Sequence, residues 1–370
     1  MLNSVTRNCA TLKRALVVLS VLAFASLSFA DKVHQPKLTP QNSGTTQGLI
    51  AVSPVNERVV WASGRGGTFV KTTNGGRTWT AGVVPGAEAL QFRDVQGVSE
   101  KVAYLSSIGN NTADFRIYKT TDGGASWTMQ FQNQNPAAFY DCFGFWTPRR
   151  GIAHSDSVNG VFPDLRTTDG KTWKDISANM PPALAGEFSF ASSGTCVATQ
   201  GERNAWIATG GVVPARILAT RDGGNTWNAY GTPIVSSPSA GAFSVDFRDA
   251  WHGIVGGGDL DPADPNMAGT ATSSDGGQTW TLTNAAPVTG AIFGLSYVSR
   301  GDDARSDDEG EDGGRSVVVT ANSGGAAWTP DEGKTWFALP GVTGYWAVAF
   351  ASPKAGWLVG VNGTILKVRF

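Results

Sequence analysis

Seven carboxylates fall in segments that a turn-rich chain would place on loops: Asp114, Asp156, Asp164, Glu187, Asp259, Asp261 and Asp264. Paired carboxylates do the work of glycoside hydrolysis, one as acid and one as base or nucleophile. Gathered at one mouth, they would equally draw a cation, a neutral glycan or a basic peptide segment. Few arginines accompany them, Arg65 and Arg216 being the best placed, which disfavours an anionic substrate. Asp259, Asp261 and Asp264 offer hard oxygen ligands of the kind Ca²⁺ takes, but their spacing matches no established calcium loop, and no metal site is assigned. His34, His154 and His252 show no metal-ligand spacing either. Residues 300–315 (RGDDARSDDEGEDGGR) form a block of charge typical of a solvated insertion.

Positioning these groups falls to a phrase spelled six times: TTNGGRTW (72–79), TTDGGASW (120–127), TTDGKTW (167–173), TRDGGNTW (220–227), SSDGGQTW (273–280) and TPDEGKTW (329–336). Its acid or amide and its closing indole are Asn74 and Trp79, Asp122 and Trp127, Asp169 and Trp173, Asp222 and Trp227, Asp275 and Trp280, Asp331 and Trp336. Asp-Gly-Gly between apolar runs is hairpin chemistry, because glycine accepts positive φ and the carboxylate takes N–H groups a few residues on. Threonine and tryptophan at the flanks favour strands, and an indole repeated once per unit is expected to be a block packed against the next unit. These residues read as structural. The tryptophans recur every 46 to 56 residues, the period of a repeat array.

Two short extended segments and the strand leading into each phrase precede it, at 49–52, 59–62 and 68–71 in the first unit and 243–247, 252–255 and 270–273 in the fifth. With the strand after the tryptophan, each unit has the four antiparallel strands of a β-propeller blade. Residues 344–370 read as three strands of a seventh blade, and residues 33–39 (VHQPKLT) are expected to supply its fourth. The predicted fold is all-β: a single seven-bladed β-propeller over residues 31–370, blades starting near 48, 87, 138, 187, 240, 290 and 344, closed by pairing of the N- and C-terminal strands. Forty-seven glycines, 13 tryptophans and only 16% charged residues suit turns and blade packing. Within a blade the phrase shares a face with the loop between strands one and two. Loops 106–114, 155–164 and 256–269, with Glu187, go to the opposite face as an acidic mouth, while 300–315 lies on the face of the phrases.

Residues 1–30 read as a signal peptide, with Arg7, Lys13 and Arg14 before an apolar run and Ser28-Phe29-Ala30 at the cleavage site. The remaining chain is expected to be exported, periplasmic or secreted, without a membrane span, and monomeric. A net charge of −1 without a basic stripe argues against nucleic acid. The glycine pairs belong to hairpins rather than to a phosphate loop, so no cofactor is expected. Cys142 and Cys196 each stand nine residues before the start of a second strand, at Gly151 and Ala205, and so occupy equivalent inner positions in adjacent blades. Export permits a disulfide, which needs Cα atoms within about 7 Å; spacing alone leaves that open.

The six phrases resemble the Asp-box, or BNR repeat, S/T-x-D-x-G-x-T-W, across essentially the whole mature chain; Asn74 replaces the acid in the first copy and the third lacks one glycine. Single-phrase blades near 50 residues, the GW-x-V-G stretch at 356–360 and GTILK at 363–367 are most similar to the photosystem II stability and assembly factor family. That resemblance implies a non-catalytic scaffold binding a protein or glycan partner. The alternative is a glycoside hydrolase of sialidase-like fold acting on a neutral or non-sialic glycan. Phe115 to Tyr118, FRIY, resembles the sialidase F/Y-R-I-P motif, but it runs into the second phrase instead of preceding the first.

Overall fold

The computed structural model describes residues 35–212, 214–260, 269–298 and 315–370. The expected signal peptide, His34, Asp261, Asp264 and all of the acidic block except Arg315 lie outside the described residues. Seven four-stranded antiparallel sheets make up the fold. Their innermost strands are Leu49–Pro54, Gln91–Gly97, Tyr140–Thr147, Val197–Gln200, Ala240–Phe247, Gly294–Tyr297 and Tyr345–Ser352. In six blades the strands follow in chain order, so each blade is a local meander that hairpin turns can build. The seventh takes its outer strand from the other end of the chain: Lys37–Asn42 pairs with Thr364–Arg369, from Lys37 opposite Arg369 to Asn42 opposite Thr364. The closing strand thus lies further along the chain than the expected 33–39. This register buries Leu38 against the last blade's core and aims Gln41 Oε1 at the indole N–H groups of Trp357 and Trp79, at 3.2 and 3.0 Å.

Each phrase folds into a hydrogen-bonded turn of one kind, a residue tighter in the third copy, where the Gly170 N–H reaches the Thr167 hydroxyl and the Thr172 N–H reaches Asp169. In the second copy the Thr120 hydroxyl donates to Asp122 Oδ1 at 2.8 Å and accepts the Gly124 N–H at 2.9 Å. Asp122 in turn accepts the Ser126 N–H at 2.9 Å and the Ser126 hydroxyl at 2.5 Å. Thr220, Asp222 and Thr226, and Ser273, Asp275 and Thr279, repeat the pattern. In the first copy Asn74 builds the turn uncharged, its Oδ1 accepting the Thr78 N–H at 3.0 Å and its Nδ2 donating to the Thr78 hydroxyl at 2.8 Å.

Those donors hold the acids ionised. The Ser126 hydroxyl and N–H, then the Thr120 hydroxyl, lower the Asp122 carboxyl to about 2. Asp222 and Asp275 overcome a desolvation penalty through the same kind of bonds and also reach about 2. A carboxyl whose folded pKa is depressed adds stability that is complete above its unfolded pKa, about 4, and is lost as pH falls through the folded one. Buried Asp94 and Asp141 and half-buried Asp156 shift upward, so the proton uptake that favours their folded state is over once pH has fallen to about 4. The unfolding midpoint should therefore fall between about pH 4 and about pH 2, and replacing Asp122, Asp222 and Asp275 together by Asn should flatten that fall. Thermal melts across the window check this; parallel curves for the two proteins would refute it. Asn74 shows that the amide keeps the turn.

The turns also join the blades. Lys71, Lys119, Arg166 and Lys367, on third strands, each donate to a phrase-glycine carbonyl of the following blade, at Gly123, Gly170, Gly223 and Gly75, over 2.8 to 3.2 Å. Second strands carry the large buried anchors: Trp61, Tyr104, Trp206 and Trp357 are at most 1% exposed. The phrase tryptophans lean back on the preceding blade, not forward on the next as expected, and are mostly half-buried. Trp127 meets Trp61 edge-on, with ring centroids 6.2 Å apart, and Trp336 donates to the Asn284 carbonyl at 2.9 Å. Cys142 and Cys196 are bridged across blades three and four, their Cα atoms 6.1 Å apart.

Candidate functional site

Of the expected mouth acids that the structure describes, Asp164 and Glu187 lie inside the protein and Asp114, Asp156 and Asp259 are half-buried. Asp164 is fully buried, accepting from His154 Nδ1 at 2.9 Å and the Ser155 N–H at 3.0 Å. Glu187, 1% exposed, takes the Arg216 guanidinium, the Thr209 hydroxyl at 2.6 Å and the Leu184 N–H at 2.8 Å. Asp156 accepts the Ser189 N–H at 3.0 Å. Asp114 sits on the rim, accepting the Asn111 N–H at 3.0 Å and pairing with Arg116 at 3.5 Å. Asp259 is half-buried at the end of the strand Gly253–Asp259. Arg216 is engaged by Glu187, and Arg65 is exposed. Asp156, Asp164 and Glu187 were expected on solvated loops; here they satisfy the chain's own donors, since burying a carboxylate is tolerable only when it is paired or hydrogen-bonded.

A different set of residues converges at the mouth. In five blades the inner strand carries a one-residue bulge near its N-terminal end, holding Ile50, Arg93, Asp141, Phe243 and Trp346. A bulge re-aims a side chain that regular pairing would leave between sheets. Phe243 stacks on Phe190 with centroids 3.6 Å apart and lies 5.8 Å from Phe293. Phe293 stacks on Trp346 at 5.2 Å. Arg93 lies over Trp346 at 5.8 Å and donates to the Ala191 carbonyl at 2.9 Å. Phe188, Phe293 and Trp346 stay half-exposed, so the aromatic arc meets solvent.

The polar sector of this ring is under electrostatic stress. Burial, then neighbouring Arg65, lowers the Arg93 guanidinium to about 10, against the pull of Asp141. Burial, followed by the Asp156 charge, raises the Asp141 carboxyl well above the ordinary range, and burial raises Asp156 as well. Two neighbouring carboxyls taken out of water disfavour carrying two negative charges at once. Counting back ten residues from the second-strand residues Val60, Ala103, Gly151, Gly253 and Gly356 reaches the five bulge positions. The sequence therefore held this signal, one residue beyond the cysteine count.

Catalytic geometry of the sialidase kind is not met by the residues that could suggest it. Tyr297 donates to Glu332 at 2.9 Å beside Arg248, but it is a core residue whose phenol is pushed up by burial, the reverse of an activated nucleophile. Arg116, in the FRIY stretch, contacts Asp114 and the Tyr118 hydroxyl at the rim. Among the described residues no three His, Cys, Asp or Glu side chains are placed to hold a metal ion.

No protein-family model matches the sequence. The chain is 26% identical over 238 residues to the photosystem II stability/assembly factor HCF136, chloroplastic, of Cyanidioschyzon merolae, covering 60% of this chain and 51% of that protein. It thus spans about half the length of that relative. Among solved structures, YCF48 bound to D1 peptide superimposes with a TM-score of 0.61 at 16% identity, covering 91% of this chain and 98% of the other. YCF48 from Cyanidioschyzon merolae gives 0.61 at 17%, covering 90% and 98%. The WD40 propeller of Doa1 gives 0.52 at 12%, covering 90% and 97%, so the propeller itself is shared more widely. The chain is thus similar in sequence to the photosystem II stability/assembly factor HCF136 and in fold to YCF48.

Proposed function

We propose that the chain is an exported, non-catalytic propeller that binds a protein partner at the channel mouth opposite the phrase turns, as an assembly scaffold. The observation that carries this reading is the half-exposed arc of Phe188, Phe293 and Trp346 beside Arg93, contributed by different blades. Aromatic and arginine side chains around a desolvated centre are the composition of binding hot spots. The homology to an assembly factor supports it, as does a YCF48 structure that holds a D1 peptide. The Cys142–Cys196 bridge supports export, because disulfides persist in oxidising compartments. A glycosidase would need two accessible carboxyls, whereas Asp156, Asp164 and Glu187 are held by internal donors.

A photo-crosslinking residue at position 346 should capture a specific envelope protein, and one at position 126, on the opposite face, should not. In a complex with that partner, Trp346→Ala and Arg93→Ala should each weaken binding about 30-fold, the scale of a hot-spot truncation. Capture only from position 126, or unchanged affinity in both variants, would place the working surface elsewhere.

A further inference from the structure

Blade four departs from the pattern of its neighbours. Phe188 pairs with Gly210 and Val197 with Ile207, so nine steps along the inner strand answer three along its partner. The bulges near the mouth in other blades add one residue each. The surplus leaves the sheet and crosses the channel as residues 189–195.

Four other blades grip this excursion. Blade two supplies Arg93 to the Ala191 carbonyl at 2.9 Å. Blade three supplies Asp156 to the Ser189 N–H at 3.0 Å. In blade five the Val245 N–H donates to the Thr195 carbonyl at 2.9 Å, and Phe243 stacks on Phe190. In blade six the Phe293 carbonyl receives the Ser193 and Thr195 hydroxyls. Gly194, at φ +74°, presses so close to Asp94 that a Cβ would lie 2.4 Å from its Oδ1. Beneath the excursion, on the side of the phrase turns, is a cavity of about 180 Å³ lined by Ser193, Gly194, Thr195, Asp94 and Asp246 among others.

Main-chain amides taken by a carboxylate and a guanidinium, with a phenyl ring in a stack, are the contacts of a bound peptide. The fit is incomplete: Arg93 Nε is buried without a hydrogen-bond partner. Buried donors and acceptors left unmet favour any occupant that meets them.

We propose that residues 189–195 are an internal stand-in for the partner, which enters the mouth as an extended, uncharged peptide segment with aromatic residues two apart, as Phe188 and Phe190 are, and displaces the chain's own segment. This rests on the mouth being the protein-binding face. The incoming segment presents an amide carbonyl to Arg93 Nε, which the internal segment leaves unmatched.

The test uses the full chain, a labelled synthetic peptide FSFASSGT (residues 188–195) and hydrogen exchange read by mass spectrometry. S193A/T195V removes two of the excursion's hydroxyl contacts to the Phe293 carbonyl and leaves its longer one from Ser192, at 3.4 Å. Exchange within 189–195 should rise at least about 10-fold while other strands keep their protection. The peptide should then bind at least about 10-fold more tightly than to the unaltered chain, and adding Arg93→Gln should abolish that binding. Should the double variant lose protection everywhere, the unaltered chain decides: millimolar peptide must accelerate exchange within 189–195. An excursion that loosens without gaining peptide affinity, or one that saturating peptide leaves unchanged, overturns the proposal. If Trp346→Ala still weakens the partner complex in that case, the scaffold reading stands and only the stand-in fails; peptide binding with no effect of Trp346→Ala on the partner has the opposite meaning.

Discussion

Removing residues 37–42 should lower the unfolding midpoint by on the order of 10 °C or more, the largest effect expected of any short deletion in the described chain. The strand pairs with Thr364–Arg369 over six residues, and its loss leaves that strand as an open edge. Leu38 leaves the last blade's core, and Trp357 and Trp79 lose their shared acceptor on Gln41. The two ends of the ring would then meet only through side chains, so blades one and seven should fray first. Gln41→Ala isolates the hydrogen-bond share, with about 1–2 kcal/mol for the two indole donors. Calorimetry of the deleted chain settles it, since a midpoint within about 2 °C of the parent would show that closure contributes little.

The second large effect sits at the joint between blades one and two. Trp61→Ala should cost about 3–5 kcal/mol, because the indole is fully buried, donates to the Ser99 carbonyl at 2.9 Å and carries Lys71 on its face at 5.0 Å. Gly124→Ala, on the facing phrase, should cost about 2 kcal/mol or more. Its backbone lies at φ +92°, and a Cβ there would come within 2.6 Å of the Phe69 ring, itself wedged between Trp61 and Trp127. Trp61→Phe should recover most of the packing but not the bond to Ser99. Urea denaturation of the three variants supplies the measurement, and a change below about 0.5 kcal/mol for Gly124→Ala would contradict a steric role for the glycine.

These two joints explain why the phrase is repeated. Its aspartate closes a turn, its first glycine offers a carbonyl to the cation of the preceding blade, and its second makes room for that blade's aromatic anchor. The turn is legible in the phrase itself, whose repeated tryptophan stands out in the sequence as the anchor. The structure gives that role mainly to Trp61, Tyr104, Trp206 and Trp357, on strands where no phrase marks them.

Blade number and ring closure were legible in the residues because hairpin turns are local chemistry: Asp122 and Gly124 make their turn within seven residues, whatever lies across the ring. Burial is not local. Asp156 meets its donor 33 residues away at Ser189, and Glu187 meets Arg216 after 29, so loop acids that looked solvated became internal supports only when those strands came together. The same holds for the mouth, where Arg93, Asp141, Phe243 and Trp346 are ordinary strand residues until bulges turn them inward. The blade-four excursion is set by pairings at Phe188–Gly210 and Val197–Ile207, and a register between separate strands exists only once both are in the sheet.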